Sequence, residues 1–471
     1  MIALRTASDA DVDPSGGAHG GVLVSRPGTG RAVVPDPDGA VAALLRLLRT
    51  PVAWEPLIEK AAELAPDADP GGLAARVARL LGVGLVVAVC VADDGAEAAE
   101  ARLTSRLGHY RPGSEPLPGA RLRLSRFAAV RRDGDTAVLE SPAAACQVIL
   151  NRPALAALPA ALAVPRTPAE ALAHCPDPAA ADLLQLLVDL GLAAETDAAG
   201  GLPEDEAPGH AGRTFRDLWA HGGRAGIAMS PPRAGGPSTA FPPPPALTPA
   251  DGPVRPLPRP DMARLRRTDP PLAEVMERRR SVRTFGDPPV TAAQVGEVLY
   301  RVGRITTRLA ADPDTPGSYD RALRPVPGAG ALHELEYYVA ARRCTGLSPG
   351  VYRYDPADHA LVTVARDPSA LVPLVDHAYR ALGSSDVPQV LITLAARFQR
   401  LSWKYGEIAH TLALKDTGVV IQSVYLCAEA AGLAACAIGP ADTAAFAEAT
   451  GCDPLDQAPV GGIVLGSRPA P

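Results

Sequence analysis

Four arginines and a hydroxyl fall within Arg278-Arg279-Arg280-Ser281-Val282-Arg283, at the end of an amphipathic stretch running from Leu272 to Arg280. Planar guanidinium groups bind phosphate bidentately and a serine adds a donor, so one reading is an anion site. The other is a solvated basic face favoured by the helix dipole. Pro325 to Gly330 (PVPGAG) is a second candidate: such a backbone can approach a flat ring closely and offer its N–H groups to ring oxygens, although the same residues also make a plain turn. Lys404-Tyr405 is a third. A desolvated lysine supplies a base and a tyrosine relays a proton or orients a ring, but standing alone the dipeptide is an ordinary surface pair. His333, His359 and His410 show no H-x-x-x-H spacing, so no metal site is expected. Glu334, Glu407 and Asp416 could polarise a neighbour, yet salt-bridge roles are the first reading for them.

These residues need elements to position them. The stretch from Gly200 to Pro260, containing PPRAGGPSTAFPPPPALTPADGPVRPLPRP, is expected to be a linker without regular structure, because proline removes donors and fixes φ. It separates an Ala/Leu-rich N-terminal half from a C-terminal half of ordinary single-domain size. In the first half, residues 40–49, 54–64 and 71–81 carry apolar residues at helical spacing ahead of the β-branched run VGLVVAV, which suggests a winged helix. Residues 121–128, the turn Asp133-Gly134-Asp135 and TAVLESP read as a hairpin. A second helical set follows at 153–161, 167–173 and 178–190. Asp416 to Ala431 is apolar almost all round, which predicts a buried helix in need of a partner.

Composition narrows the classes. With 471 residues, 47% hydrophobic and 21% charged, several soluble domains are expected. No apolar run is long enough to cross a bilayer, and MIALRTASDADVDPSGG lacks the pattern of a secretory signal, which makes cytoplasm the expected compartment. The seven cysteines are odd in number and show no C-x-x-C spacing, against a disulfide framework. A net charge of −6 argues against a nucleic-acid partner. Only Lys60, Lys404 and Lys415 are lysines.

RRSVRTF followed by PPVTAAQVGEVLYRVGRI resembles the opening of the nitroreductase-like flavoenzymes, especially the SagB-type azoline dehydrogenases of thiazole/oxazole peptide biosynthesis. FRDLWAHGGRAG, RALRPVPGAGALHELEYYVAARRCTGLSPGVYRYDPADHALV, VPQVLITLAARFQRLSWKYGEIAHTLALKDTGVVIQSVYLCAEAAGLAACAIGPAD and GGIVLGSRP continue the likeness in order, from Phe215 to Pro469. The strand-turn-strand-then-helices order upstream resembles the PqqD-like element that binds a precursor's leader peptide by strand addition. A structural or DNA-binding winged helix is the alternative.

The resemblance implies an α+β chain: a winged-helix-like module at 1–110, a second winged-helix or PqqD-like module at 111–200, a linker at 201–262, and a nitroreductase-like domain at 263–471. It implies FMN bound at the interface of an intertwined homodimer. The matching cofactor residues are Arg279, Arg280, Ser281, Arg283, Pro327, Gly328, Ala329, Gly330, Gly439 and Arg468. Relatives commonly carry a serine where Gly328 or Ala329 falls, leaving only backbone contacts there, and Pro440 replaces a second glycine. Lys404 and Tyr405 match a catalytic pair, with the choice of base between them open. The implied partners are an azoline-containing precursor peptide and a YcaO-type cyclodehydratase. A general NAD(P)H-fed nitroreductase and a non-catalytic peptide-binding scaffold are the competing readings.

Overall fold

The computed structural model describes Met1 to Ala470 except residues 18–20, 27–29, 37, 67, 69, 104–108, 114–118, 208–212, 217, 219–237, 239–240, 316, 366 and 385. The chain divides into two compact units, Met1–Arg233 and Ala234–Pro471.

The first unit starts with β1 (Ile2–Thr6) and a three-stranded sheet of β2 (Asp11–Gly17), β3 (Gly21–Arg26) and β4 (Gly30–Pro35). Helices α1 (Ala40–Leu47), α2 (Trp54–Leu64) and α3 (Pro70–Gly82) occupy the three stretches of helical spacing, and the β-branched run forms β5 (Val86–Val91), paired with β6 (Glu97–Leu103). Then come β7 (Leu122–Leu124), β8 (Ala129–Asp133), β9 (Thr136–Ser141) and β10 (Cys146–Leu150). They are followed by α4 (Ala157–Ala161), α5 (Pro168–Leu172), α6 (Ala180–Asp189), β11 (Ala193–Glu195) and α7 (Pro203–Glu206). The expected hairpin exists, but its first strand is β8 and not residues 121–128. Asp133 faces Thr136 across Gly134, whose φ of 56° supplies the turn, whereas Leu122 and Leu124 pair with β11 and Phe127 is buried. Because β6 pairs with β10, the two sets of helices share one sheet, ordered β1-β5-β6-β10-β9-β8.

Much of the expected linker lies outside the described residues, as does most of FRDLWAHGGRAG. Its described remainder is not structureless. Besides α7, it contains β12 (Val254–Pro256), which joins the second unit's main sheet. Residues before β12 are pinned by arginines, Arg353 and Arg400 buried and Arg397 half-buried: Arg353 donates to the carbonyls of Thr248 (3.3 Å) and Pro249 (2.6 Å), Arg397 to that of Pro245 (2.9 Å), and Arg400 to that of Pro244. Prolines lack N–H groups but keep their carbonyls, and guanidinium groups are donors only. A Pro-rich segment therefore docks without a ladder.

Beyond β12 run α8 (Met262–Thr268), α9 (Leu272–Arg278), α10 (Ala292–Gly303), the small hairpin β13 (Thr307–Leu309) and β14 (Arg321–Leu323), and β15 (Leu335–Ala341), β16 (Gly350–Asp355) and β17 (Ala360–Ala365). Next are α11 (Pro368–Leu382), β18 (Val390–Arg397), α12 (Phe398–Tyr405), α13 (Ala409–Ala430), β19 (Leu433–Ile438), α14 (Thr443–Thr450) and β20 (Gln457–Ser467). The seven-stranded antiparallel sheet is ordered β12-β17-β16-β15-β18-β20-β19. Central β15 is buried throughout, and its alternate residues serve two cores. Leu335, Tyr337 and Val339 join the cluster built with α10 and α13, while Tyr338 and Ala340 join that of α11 and α14. Capping fixes the helix starts: Thr291 and Gln294 close a capping box on α10, and Asp442 caps α14. Helix α12 stops at Gly406, whose φ of 54° ends it, and that break delivers Lys404 and Tyr405 at the last turn.

Helix α13 departs from the expectation of all-round burial. One face packs into the core through Ala413, Val420, Val424 and Ala428, but Leu414 is 45% and Val419 36% exposed. No described helix is long and apolar enough to cross a membrane.

Candidate active site

The turn after β14 carries Pro327 to Gly330 into contact with the end of α12. Gly330 has φ 58°, and a Cβ there would stand 2.6 Å from the Tyr405 hydroxyl and 2.9 Å from Lys404 Nζ. Glycine adopts the left-handed conformation without strain, and a side chain there would displace the Tyr405 and Lys404 tips. Lys404 Nζ donates to the Tyr319 hydroxyl at 2.6 Å, which donates to the Gly330 carbonyl at 2.7 Å. Lysine, two tyrosines and the turn thus form one cluster. Ala331 and His333 also sit at positive φ, 55° and 47°, so the turn is held in a conformation non-glycine residues rarely adopt.

The N–H groups of the turn are unevenly committed. That of Ala329 reaches Asp416 at 2.8 Å, and those of Ala331 and Leu332 bond back to Gly328 and Ala329. Among the described residues, the N–H groups of Gly328 and Gly330 have no hydrogen-bond partner. A Cβ at position 328 would stand 2.9 Å from His333 Nδ1, so a side chain there would have to displace the imidazole.

Charge around the turn is unusual. Arg400, fully buried on α12 one turn before Lys404, donates to the carbonyls of Leu332 (3.1 Å) and Asp320 (2.6 Å) as well as Pro244. It makes no ion pair among the described residues, and burial pulls its guanidinium down to about 10. Burial, with Arg324 and Arg400 nearby, lowers His333 to about 4, so the ring is neutral at physiological pH. Burial, then the neighbouring Asp416 charge, pushes the Glu334 carboxyl up to about 7. Asp416 is raised by its own burial, against the pull of the Ala329 N–H, and burial likewise raises the Tyr405 phenol.

The arginine-rich residues form a separate cluster. Helix α9 ends at Arg278, so Arg279 to Arg283 are extended, with the Val282 N–H bonded to the Ala435 carbonyl of β19. Ser281 Oγ lies 2.9 Å from the Tyr425 hydroxyl, which also accepts the Ala437 N–H at 2.6 Å. Arg279 lies over the Tyr425 ring, 5.0 Å from its centroid. Arg280 folds back on the carbonyls of Glu277 and Arg279, and the Arg283 guanidinium donates to the Ser281 carbonyl at 3.5 Å. Arg468 is paired with Glu429, which also faces Arg278 at 3.6 Å. Gly439 is exposed at the end of β19 with open space where a Cβ would be.

Both clusters hang on α13, one through Asp416 and one through Tyr425. Nine residues of helix separate these by about 13.5 Å and about two and a half turns, so they face opposite sides. The residues singled out in the sequence are therefore gathered in two groups, not one. Tyr319, Arg400 and Arg324 escape a reading of sequence alone: Tyr319 sits in an uninformative loop, and an arginine with carbonyl partners leaves no charge pattern in sequence. Spacing does place Arg400 four residues before Lys404, on the same helical face.

The groups present suit a flavin mononucleotide: two uncommitted N–H donors on a bare glycine backbone for a ring, and a guanidinium with a hydroxyl for a phosphate.

Residues 276–467 match the family model "Nitroreductase family", and residues 122–222 match that of the cyanobactin oxidase ThcOx. A nitroreductase-type protein of Methanocaldococcus jannaschii is 31% identical over 168 residues, which span 36% of this chain and 78% of that protein. The chain belongs to the nitroreductase family. Its C-terminal unit is thus the nitroreductase unit, and the Lys404 and arginine clusters both lie in that oxidoreductase framework. Among solved structures, a nitroreductase of Ralstonia eutropha is similar at 22% identity, covering 50% of this chain and 98% of that one with a TM-score of 0.36. A chain of the Escherichia coli microcin synthetase McbBCD complex with truncated pro-MccB17 is similar at 22% identity, covering 41% and 71%, with a TM-score of 0.31.

Proposed function

We propose that this nitroreductase-family chain is an FMN-dependent dehydrogenase that oxidises thiazoline or oxazoline rings in a ribosomally made peptide. The observation that carries the reading is the packing of Lys404 and Tyr405 against Gly330, because a plain flavin reductase has no use for a base at the face of the ring-binding turn. The match of residues 122–222 to the cyanobactin oxidase model supports a peptide substrate.

Converting an azoline to an azole removes a proton from the α-carbon and a hydride from the neighbouring carbon, leaving a double bond between them. FMN supplies the hydride acceptor, with dioxygen as the final oxidant. Either Lys404 or Tyr405 takes the proton and the other orients the ring. Tyr319 fixes Lys404 Nζ against the Gly330 carbonyl, and Arg400 fixes the backbone just after Tyr319 through the Asp320 carbonyl. Gly328 and Gly330 offer N–H groups to the flavin ring, while Arg279, Ser281 and, once released from Glu429, Arg468 offer donors to its phosphate.

Because the two clusters face opposite sides of α13 and that helix keeps an exposed stripe of Leu414, Lys415, Gly418, Val419 and Gln422, we place FMN between two copies, each contributing one cluster. The N-terminal modules at 1–110 and 111–200 are read as winged-helix or PqqD-like recruiters of the precursor or a YcaO-type cyclodehydratase. Edge strand β8, with Val130 46% exposed, would be the docking site.

The test is direct. Purified protein reconstituted with FMN should convert an azoline-containing peptide to the azole with loss of two hydrogens per ring, and Lys404→Ala should abolish this while flavin remains bound. Reduction of nitroaromatics by NADPH with the azoline peptide untouched would make the chain a general nitroreductase. Failure to take up FMN at all would leave the scaffold reading.

A further inference from the structure

Glu334 is 1% exposed. Apart from its own backbone N–H, neither carboxyl oxygen meets a donor among the described residues. The group it faces is Asp416, another carboxyl, and two carboxyl groups hydrogen-bond only when one of them carries a proton. Asp416 in turn accepts the Ala329 N–H at 2.8 Å.

We infer that Glu334 and Asp416 share one proton directly behind the Gly328–Gly330 turn, and that this proton, by keeping Asp416 on the Ala329 N–H, holds the turn in the shape that receives a flavin ring. Glu334 is in this sense a positioning residue acting through Asp416, and the inference rests on the flavin reading above.

Among the described residues no surrounding cation is hydrogen-bonded to or ion-paired with Glu334. Arg324, after β14, donates to the Leu335 carbonyl at 3.2 Å and keeps its Nε unpartnered among the described residues, so that only its field falls on the pair. Arg400 on α12 is committed to carbonyls. Arg397 at the end of β18 faces Glu336 and Pro245. His333 is neutral, Tyr337 on β15 is buried, and Tyr405 contributes only a neutral phenol. Two carboxylates in contact in a buried site do not both ionise readily, and burial with Asp416 already raises Glu334 to about 7. Just below about pH 7 the pair carries one proton and one charge. Above that, two negative charges repel, Asp416 leaves the Ala329 N–H, and the turn loosens.

Riboflavin is the probe, because it has the ring without a phosphate that titrates near the same pH. For the wild-type chain, riboflavin affinity should fall between about pH 6 and about pH 8.5, by up to about tenfold per pH unit once the pair ionises. Glu334→Gln keeps a donor toward Asp416 but cannot titrate, so its affinity should stay flat at the wild-type low-pH value. Glu334→Leu should bind weakly at every pH. An equal pH slope in Glu334→Gln, or wild-type affinity in Glu334→Leu, overturns the proposal. Infrared spectra of the flavin-free protein provide a second arm: the wild type at pH 6 should show a protonated-carboxyl C=O band that Glu334→Gln lacks. Absence of that band refutes the shared proton whether or not riboflavin binds. A band without any riboflavin binding refutes the positioning role and, separately, the flavin reading itself.

Discussion

Replacing Arg400 by methionine sets two opposing effects against each other, and the structure gives the size of each. Holding a fully buried guanidinium charged is unfavourable: its downward displacement from 12.5 to about 10 corresponds to about 3 kcal/mol at 1.36 kcal/mol per pH unit. Against this stand three hydrogen bonds to the carbonyls of Leu332, Asp320 and Pro244. Losing these hydrogen bonds to a charged donor costs about 2 kcal/mol each, or about 6 kcal/mol together. Methionine fills similar volume, removes the cost of the buried charge and restores none of the hydrogen bonds. Arg400→Met should therefore destabilise the chain by about 3 kcal/mol. Urea titration followed by tryptophan fluorescence reads this directly, since Trp403 lies on the same helix. Azole formation should fall as well, because Tyr319 loses the anchor at Asp320. A variant as stable as the wild type, or more so, would mean that water reaches those carbonyls and that burying the charge costs more than the hydrogen bonds return.

Gly330→Ala should remove activity with a small loss of stability, about 1 kcal/mol, because the new methyl meets Tyr405 and Lys404 at 2.6 and 2.9 Å; thermal unfolding and turnover measured together check this. Stability should also depend on pH through Glu334. Its folded carboxyl is raised from 4.5 to about 7, so the folded state holds more protons in that window. The stabilisation is complete below about pH 4.5 and is lost as pH rises through about 7, on the order of 3 kcal/mol in all. Urea midpoints across that range should slope downward for the wild type and flatten for Glu334→Gln. Val419→Asp, on the exposed stripe of α13, should convert the proposed dimer to monomer in sedimentation without unfolding it; a persisting dimer would place the interface elsewhere, and a monomeric wild type would refute the shared site.

How much of this is legible in sequence depends on the kind of information involved. Three-residue-spaced leucines and valines mark α1 to α3, and Asp133-Gly134 marks the β8–β9 turn, because periodicity and turn chemistry are local. The strand ahead of that turn is not where alternation puts it, since Leu122 and Leu124 alternate like hairpin residues but are claimed by β11, which comes about 70 residues later and leaves no local trace. The Pro-rich stretch misleads in the same way. Its docking depends on Arg353, Arg397 and Arg400, far along the chain. Of the candidate site, Lys404, Tyr405 and Gly330 are brought together, while the arginines belong to a second cluster on the other side of α13. Sequence points to salt-bridge roles for Glu334 and Asp416, and their facing each other is visible only in three dimensions.

The seam between β6 and β10 bears on biogenesis. Until Cys146–Leu150 leaves the ribosome, β6 is an open edge beside a finished three-helix layer, a surface that invites pairing with another nascent chain. Its sequence, Glu97-Ala98-Ala99-Glu100-Ala101-Arg102-Leu103, places charge along that edge, and Glu100 is later taken up by Arg5 and Arg102. The same charges that knit the finished sheet would thus guard it during synthesis, and a fragment ending near residue 110 would be left with the edge bare.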